Sequence, residues 1–236
     1  MAAAVSNYAI DIQSLEKSYG DWPVLWDLDM SVEWGKFLTL FGTNGAGKTT
    51  LLNLLSTQAR SDAGTIRVAG YDSRRNPEAV CRQVGVVGHQ SFLYYDLTCQ
   101  ENLLFYARLF GLKNIQDRIS SVLSTVGLLC RAHNRVRILS HGMQKRLSIA
   151  RAILHQPRLL LLDEPEAGLD QDSVAMLHTL LKEWTAGGGT VVMTTHNLEL
   201  GIDWADEVAV LSDGSISVHE STGAGAVSNI RRLLAS

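Results

Sequence analysis

The sequence predicts an α/β protein with three parts: a core built on a parallel sheet, an N-terminal antiparallel β-subdomain and an inserted α-helical subdomain. The parallel sheet is predicted because continuous apolar runs, among them LLLLD and TVVMTTH, alternate with a helical pattern in the last third of the chain. The helical insertion is predicted because apolar residues recur every three or four positions through much of residues 91–156.

The strand-rich part comes first in the chain. Short β-like runs separated by turn residues fill the first 70 residues, and they are YAIDIQSL, VLWDLDMSV, KFLTLF and TIRVAG. A glycine-rich turn and then KTTLLNLLSTQ, with leucines at helical spacing, follow the third run. That segment therefore predicts the order strand, loop, helix.

The helical patterns of the middle region are ENLLFYARLFG, QDRISSVLSTVGLL and MQKRLSIARAILHQ. After them LLLLD, TVVMTTH and EVAVLSDG are typical of strands, and SVAMLHTLLKEW is typical of a helix that the glycines of residues 186–189 end. The last 16 residues are small and then briefly helical in pattern. We predict one domain of residues 1–220, made of a core (1–89 and 157–220) and a helical subdomain (90–156), followed by a tail (221–236).

Composition and charge exclude several classes of protein. With 46% apolar and 19% charged residues the chain is globular in composition, and its formal net charge of −3 gives no electrostatic reason to expect nucleic acid. Since no apolar run reaches about 18 residues, no membrane-spanning helix is predicted. The N-terminus lacks a signal-peptide pattern, which predicts a cytoplasmic protein. The three cysteines show neither a disulfide framework nor a metal-ligand spacing.

A phosphate-binding loop is the most specific motif. GTNGAGKT, residues 42–49, fits GxxxxGK[ST] between a predicted strand and a predicted helix, a context that a chance glycine-rich turn lacks. Lys48 would bind the β- and γ-phosphates, and Thr49 would place its hydroxyl on Mg²⁺. The backbone N–H groups of the loop would face the phosphates. The predicted nucleotide-binding residues of this segment are Gly42, Thr43, Asn44, Gly45, Ala46, Gly47, Lys48, Thr49 and Thr50.

Two carboxylates follow LLLLD at the edge where parallel sheets bind ligands. Asp163 would hold Mg²⁺ through its water shell, and Glu164 would deprotonate or orient the attacking water, the alternative being a surface salt bridge. His196 ends the predicted strand TVVMTTH at the same edge, where an imidazole could hydrogen-bond the γ-phosphate or the water. The other six histidines lie in helical or turn patterns, so His196 alone is a candidate.

The order of these motifs resembles the ABC ATPase family over about residues 8–220. Gln90 in GVVGHQ matches the Q-loop of that family, LSHGM (139–143) its signature motif, Asp170 its D-loop residue, and Tyr19 in KSYG its adenine-stacking aromatic. The resemblance implies a P-loop NTPase (RecA-like) core that hydrolyses ATP with Mg²⁺. It assigns catalysis to Glu164, His196 and Gln90, and metal binding to Thr49, Gln90 and Asp163.

The resemblance also implies partners. In that family two cassettes sandwich two ATP molecules, so Ser140 and Gly142 would complete the site of a second cassette, of the same or a different chain, from a helix N-terminus. Integral membrane transporter subunits would bind the cassette at the cytoplasmic face of the membrane. Gln90 would sense Mg²⁺ and the γ-phosphate at the hinge between the lobes, and the adjoining segment SFLYYDLTCQENLLFY would line the groove for a coupling helix. Its aromatics Phe92, Tyr94 and Tyr95 either form that groove or belong to the core.

Three residues depart from the family pattern. His141 replaces the usual glycine and Met143 the usual glutamine of the signature motif, while Thr43 replaces the common proline of the phosphate loop. None of the three has a charge-bearing role. A Cβ at position 141 narrows the backbone choices at a contact expected across the dimer.

The strings GHQ, ENLLFYARLFG and LSHGMQKRL in a short single cassette are similar to the haem-exporter ATPase of cytochrome c maturation. They are also similar to multidrug and antibiotic-export ATPases, which usually carry a longer C-terminal extension, so a haem exporter is expected and a drug exporter is the alternative. Non-transport ABC ATPases of DNA repair or translation carry coiled-coil inserts or tandem cassettes, which this chain lacks. A cassette that binds ATP without hydrolysing it would lack Glu164 or His196. Cargo recognition is expected in the partners, because no haem-ligand spacing is present.

Overall fold

Two β-sheets organise the fold in the computed structural model, which describes residues 7–222 and residue 230. Residues 1–6 and most of the predicted tail, 223–229 and 231–236, lie outside the described residues. The strands are β1 (Tyr8–Tyr19), β2 (Trp22–Glu33), β3 (Phe37–Phe41), β4 (Ala63–Val68), β5 (Tyr71–Asp72), β6 (Val84–Val87), β7 (Leu159–Asp163), β8 (Thr190–Thr194), β9 (Glu207–Ser212) and β10 (Ser215–Ser221). The helices are α1 (Lys48–Leu55), α2 (Pro77–Gln83), α3 (Cys99–Leu109), α4 (Ile115–Thr125), α5 (His141–Ile153), α6 (Gln171–Ala186) and α7 (Leu198–Trp204).

The N-terminal sheet is antiparallel, as the sequence predicts, with the strand order β2-β1-β4-β5. The second sheet has the order β10-β9-β3-β8-β7-β6, and its strands are parallel except for β10. Strand β8 thus lies between β3 and β7. Because parallel strands end at one edge, the segments that follow β3, β7 and β8 meet there.

The parallel sheet is covered on both faces, and alternate residues of each strand point to opposite faces. In β7, Leu160 and Leu162 pack with the helical subdomain, whereas Leu159 and Leu161 pack with α1 and the antiparallel sheet. All four side chains are at most 1% exposed. The continuous apolar run that predicted a parallel strand is therefore explained by two separate cores that share this sheet.

Helices α3, α4 and α5 lie between β6 and β7 in the chain and form the predicted helical insertion. The start of α3 is fixed by a capping box, in which Thr98 Oγ1 accepts from the Glu101 N–H and the Glu101 carboxylate accepts from the Thr98 N–H. In the described part of the chain, no helix combines the length and apolar character that a bilayer crossing requires.

The insertion contacts the core closely through α5 and β6. A Cβ at Gly85 would lie 2.3 Å from the backbone oxygen of Ala152, so only glycine permits this approach. Arg151 Nη2 donates a hydrogen bond of 2.7 Å to the backbone oxygen of Val86, and burial lowers the pKa of this guanidinium. Sequence analysis missed β6, since a run of four residues becomes a strand here only by pairing with β7.

Candidate functional site

The phosphate loop connects β3 to α1 as predicted. Gly45 and Gly47 adopt φ values of 83° and 104°, and a Cβ at Gly47 would lie 2.8 Å from Leu25 Cδ2. Lys48 is 7% exposed, and its ammonium donates hydrogen bonds to the backbone oxygens of Gly42 at 2.7 Å and Thr43 at 3.0 Å. These bonds hold the ammonium across the loop, beside the N-terminus of α1, where an anion is favoured.

Burial lowers the pKa of the Lys48 ammonium, and the nearby carboxylates of Glu164 and Asp163 act in the opposite direction. A cation that is partly stripped of water and lies near two anions is suited to bind the oxygens of a polyphosphate. The site therefore holds a positive group in the loop and negative groups at the neighbouring strand end.

Asp163 is held by two hydroxyl groups from different segments. Thr49 Oγ1 donates to Asp163 Oδ2 at 2.8 Å, and Thr194 Oγ1 donates to Asp163 Oδ1 at 2.5 Å. The backbone N–H of Glu164 donates to the backbone oxygen of Thr194 at 3.1 Å and to its hydroxyl oxygen at 3.3 Å. Thr194, which sequence analysis did not single out, therefore fixes both acidic residues.

Glu164 and His196 are in direct contact. His196 Nε2 lies 2.7 Å from Glu164 Oε1, and the side chains are 48% and 24% exposed for His196 and Glu164 respectively. Glu164 adopts the left-handed conformation at φ 48°, which is uncommon for a residue with a Cβ. Strand β8 ends at Thr194, so the prediction that His196 ends the strand is wrong by two residues. His196 follows the strand in the turn before α7, where its side chain reaches Glu164.

One open cavity brings together residues from the phosphate loop, the antiparallel sheet and the ends of β7 and β8. It is lined by Tyr19, Val24, Asn44, Gly45, Gly47, Lys48, Thr49, Thr50, His89, Glu164 and His196. This cavity thus brings Tyr19, most of the predicted phosphate-loop residues, Glu164 and His196 onto one surface, whereas Gln90 does not line it. Thr43 and Ala46 line a neighbouring cavity with Trp26 and Asp213.

A magnesium ion fits the oxygen atoms at the edge of this site. Thr49, Gln90 and Asp163 line a second cavity together. Hydroxyl, amide and carboxylate oxygens are hard donors, and Mg²⁺ in nucleotide sites is held by one or two protein groups together with phosphate oxygens and waters. Among the described residues, no group of three or more His, Cys, Asp or Glu side chains could hold a metal ion.

The signature and D-loop residues begin helices away from this cavity. Ser140 caps α5, with its hydroxyl oxygen accepting from the Met143 N–H at 3.3 Å, and Asp170 caps α6, with its carboxylate accepting from the Ser173 N–H at 2.8 Å. His141 is the first residue of α5. A residue with a Cβ adopts this helical backbone without strain, and the effect of His141 on a contact across the dimer stays a prediction.

Two further residues near the site escaped sequence analysis. His89 Nε2 lies 3.4 Å from Asp163 Oδ2, although the side chain is 64% exposed. Lys145, on α5, is half-buried, and burial lowers its pKa against the opposing influence of Glu166, Asp163 and Glu164. Neither residue has a sequence signal, because each reaches the acidic strand end only through the tertiary fold.

The family model described as "ABC transporter" matches residues 25–167, which is more than half of the chain and includes the phosphate loop, the signature motif and the acidic strand end. The chain belongs to the ABC transporter family. A second model, described as an AAA domain, putative AbiEii toxin of a type IV TA system, matches the shorter range 135–203. As a member of the ABC family the chain is an ATP-binding ATPase.

Curated relatives of this ABC ATPase include export and resistance proteins. The Nod factor export ATP-binding protein I of Bradyrhizobium diazoefficiens is 37% identical over 89% of this chain and 69% of that protein. The daunorubicin resistance ATP-binding protein DrrA3 of Streptomyces coeruleorubidus is 36% identical over 90% of this chain and 68% of that protein. A solved ATP-binding subunit of an ABC transporter superposes with a TM-score of 0.87 at 26% identity, covering 97% of this chain and 95% of that one.

Proposed function

We propose that this ABC ATPase drives export of a drug-like small molecule by hydrolysing ATP, working with separate membrane subunits. The observation that supports hydrolysis most directly is the 2.7 Å contact between Glu164 and His196 at the cavity that contains Lys48. A cassette that only binds ATP would lack one of these two residues, the carboxylate that acts on the attacking water or the imidazole that orients it.

In the proposed mechanism the triphosphate lies in the phosphate loop, with Lys48 and the N-terminus of α1 binding its oxygens. Mg²⁺, held by Thr49, Gln90 and the water shell of Asp163, would neutralise charge on the β- and γ-phosphates. The Thr194 hydroxyl donates to Asp163 and accepts from the Glu164 N–H, so it fixes the position of the metal-binding Asp163 relative to the hydrolytic Glu164.

Glu164 would orient and deprotonate the water that attacks the γ-phosphorus. A bond forms between the water oxygen and phosphorus while the bond to the β–γ bridging oxygen breaks, giving ADP and phosphate. His196 would hold the Glu164 carboxylate through their contact and, once a nucleotide is bound, hydrogen-bond the γ-phosphate. Gln90, exposed between the core and the helical insertion, would report the state of the site to the insertion.

A second cassette is part of the proposal. Ser140, Gly142 and Asp170 do not line the cavity that contains Lys48, whereas Ser140 begins a helix of 13 residues with its N-terminus exposed. A helix N-terminus favours phosphate, so Ser140 and Gly142 are suited to close the site of another cassette. Asp170 would contribute at the same interface.

The membrane partners would bind near the Q-loop. Phe92, Tyr94 and Tyr95 are 41–51% exposed, so the alternative that these three aromatics belong to the core is wrong, and Phe105 beside them is 42% exposed. Tyr94 and Phe105 pack edge to face with ring centroids 5.0 Å apart, forming a preformed apolar surface. We infer that this surface receives a segment of a membrane subunit, which places the ATPase at the cytoplasmic face of the membrane.

The relatives favour the drug-export alternative over the haem exporter that the sequence strings predicted. Nod factor export and daunorubicin resistance are the functions in the names of relatives that match about nine-tenths of this chain. Cytochrome c maturation has no support from these relatives. We therefore propose a drug-like or other complex organic cargo, recognised by the membrane subunits.

Deletion of the gene in its native host tests the cargo. If the protein drives drug export, the deletion strain becomes more sensitive to at least one class of antibiotic in a susceptibility panel, and its content of c-type cytochromes, measured by haem staining, is unchanged. The gene encoding Glu164→Gln serves as the matched control, since it restores the protein but not its hydrolysis. Loss of c-type cytochromes with unchanged drug susceptibility would contradict the proposal and support haem export.

A further inference from the structure

Tyr19, the residue expected to contact the nucleotide base, has different surroundings on the two sides of its ring. It is the last residue of β1, it is 51% exposed, and it lines the cavity that contains Lys48 and Glu164. The ammonium of Lys17 lies over one face of the ring, 5.0 Å from the centroid. That distance is in the range of a cation–π contact. Because the ammonium covers one face, the opposite face of the ring is the one available to another flat group.

Lys17 itself is held by Asp62, in the segment that connects α1 to β4. Lys17 Nζ donates to Asp62 Oδ1 at 3.0 Å, and the lysine side chain is only 13% exposed. The Ser18 N–H donates to Asp62 Oδ2 at 2.6 Å, and the Asp62 N–H donates to the Glu16 backbone oxygen at 2.9 Å. Asp62 thus contacts three consecutive residues that immediately precede Tyr19.

We propose that Lys17 is a positioning residue for the nucleotide base, acting through Tyr19. Held by Asp62, its ammonium occupies one face of the Tyr19 ring and fixes the ring so that the other face receives the base. The inference rests on the proposed function, because it requires that ATP binds in the Lys48 cavity with its base against Tyr19.

Two physical effects make such a lysine useful. A half-exposed tyrosine at a strand end would otherwise sample several rotamers, and binding would have to order it. The cation also attracts the electron-rich face of the ring, so the tyrosine is already oriented before the base arrives. Lys17 is expected to affect the affinity for the base alone, since its ammonium is paired with Asp62 and makes none of the hydrogen bonds that hold Lys48 in the phosphate loop.

The test compares two probes, MgATP and magnesium tripolyphosphate, which has the phosphates without the base. Their dissociation constants are measured by calorimetric titration of the full chain and of Lys17→Met. We expect the constant for MgATP to rise about three- to fivefold, which is the effect of one exposed cation–π contact, and the constant for tripolyphosphate to stay the same. Lys17→Arg, which retains a cation at this position, is expected to restore most of the MgATP affinity.

Lys36→Met is the matched control, because Lys36 also pairs with a carboxylate, Glu207 at 3.9 Å, whereas the cation over the Tyr19 ring is Lys17. Equal losses for the two probes in Lys17→Met, or no loss for either, would overturn the inference. Tyr19→Ala separates it from the proposed function. If Tyr19→Ala lowers the affinity for MgATP alone while Lys17→Met changes neither affinity, Tyr19 contacts the base but Lys17 does not position it. If Tyr19→Ala leaves the affinity for MgATP unchanged, Tyr19 does not contact the base, and Lys17 cannot position the base through it.

Discussion

Replacing Glu164 by glutamine is expected to lower the steady-state rate of ATP hydrolysis about a hundredfold or more, with ATP binding retained. Glutamine has nearly the same shape and can keep a hydrogen bond to His196 Nε2, which lies 2.7 Å from Glu164 Oε1. It cannot take a proton from water, so the chemical step fails while the phosphate loop remains intact. The measurement is phosphate release at saturating MgATP, together with nucleotide titration of the variant.

A second consequence concerns assembly. If two cassettes close over ATP and separate after hydrolysis, Glu164→Gln should accumulate as a dimer with ATP, detectable by size-exclusion chromatography. Glu183→Gln, an exposed glutamate near the end of α6, is the matched control and should behave as the unmodified protein does. An unchanged hydrolysis rate in Glu164→Gln would remove this residue from the mechanism.

Replacing Lys48 by methionine is expected to weaken MgATP binding at least about thirtyfold and to abolish measurable hydrolysis. Methionine keeps much of the apolar stem but removes the ammonium that bonds to the Gly42 and Thr43 oxygens. The bound triphosphate would lose its charged hydrogen-bond pair with this ammonium. Truncating one partner of such a buried pair costs about 2–5 kcal/mol, which gives the expected loss of affinity. Calorimetric titration with MgATP and with tripolyphosphate measures it, and both ligands should be affected.

Lys182→Met is the control for this second substitution, because Lys182 is an exposed lysine on α6. Thermal unfolding of both variants shows whether the loop change disturbs the fold. Retention of normal MgATP affinity in a folded Lys48→Met protein would mean that the triphosphate does not lie in the loop.

The sequence predicts those parts of the site that are contiguous in the chain. The phosphate loop and the acidic pair Asp163 and Glu164 are short motifs whose flanking strands and helix have strong apolar periodicity, and the structure places them together. The parallel sheet was predictable too, since buried parallel strands have continuous apolar runs, whereas the order of the strands within it was not predicted. These features depend on local pattern alone.

The parts that sequence analysis missed depend on tertiary contacts. Thr194 is an ordinary strand threonine by pattern, and its role arises because β8 lies beside β7, which brings its hydroxyl to Asp163. His89 lies in a turn by pattern and approaches Asp163 only once β6 pairs with β7. The family resemblance identified residues such as Gln90 and Ser140 that no periodicity could indicate.

The cargo is the property that the sequence predicts least well. The motif strings are shared among exporters with different cargoes, because in the proposed function the membrane subunits, and not the ATPase, recognise the cargo. The expectation of haem export rests on these shared strings, and the curated relatives favour drug export.

The central claim is that this ATPase is the motor of a membrane exporter, and copurification tests it most directly. A tagged Glu164→Gln protein is expressed in the native host, isolated with ATP from detergent-solubilised membranes, and its partners are identified by mass spectrometry. We expect integral membrane subunits of an export permease in stoichiometric amount. Recovery with ribosomes or DNA-repair proteins and no membrane protein would contradict the claim.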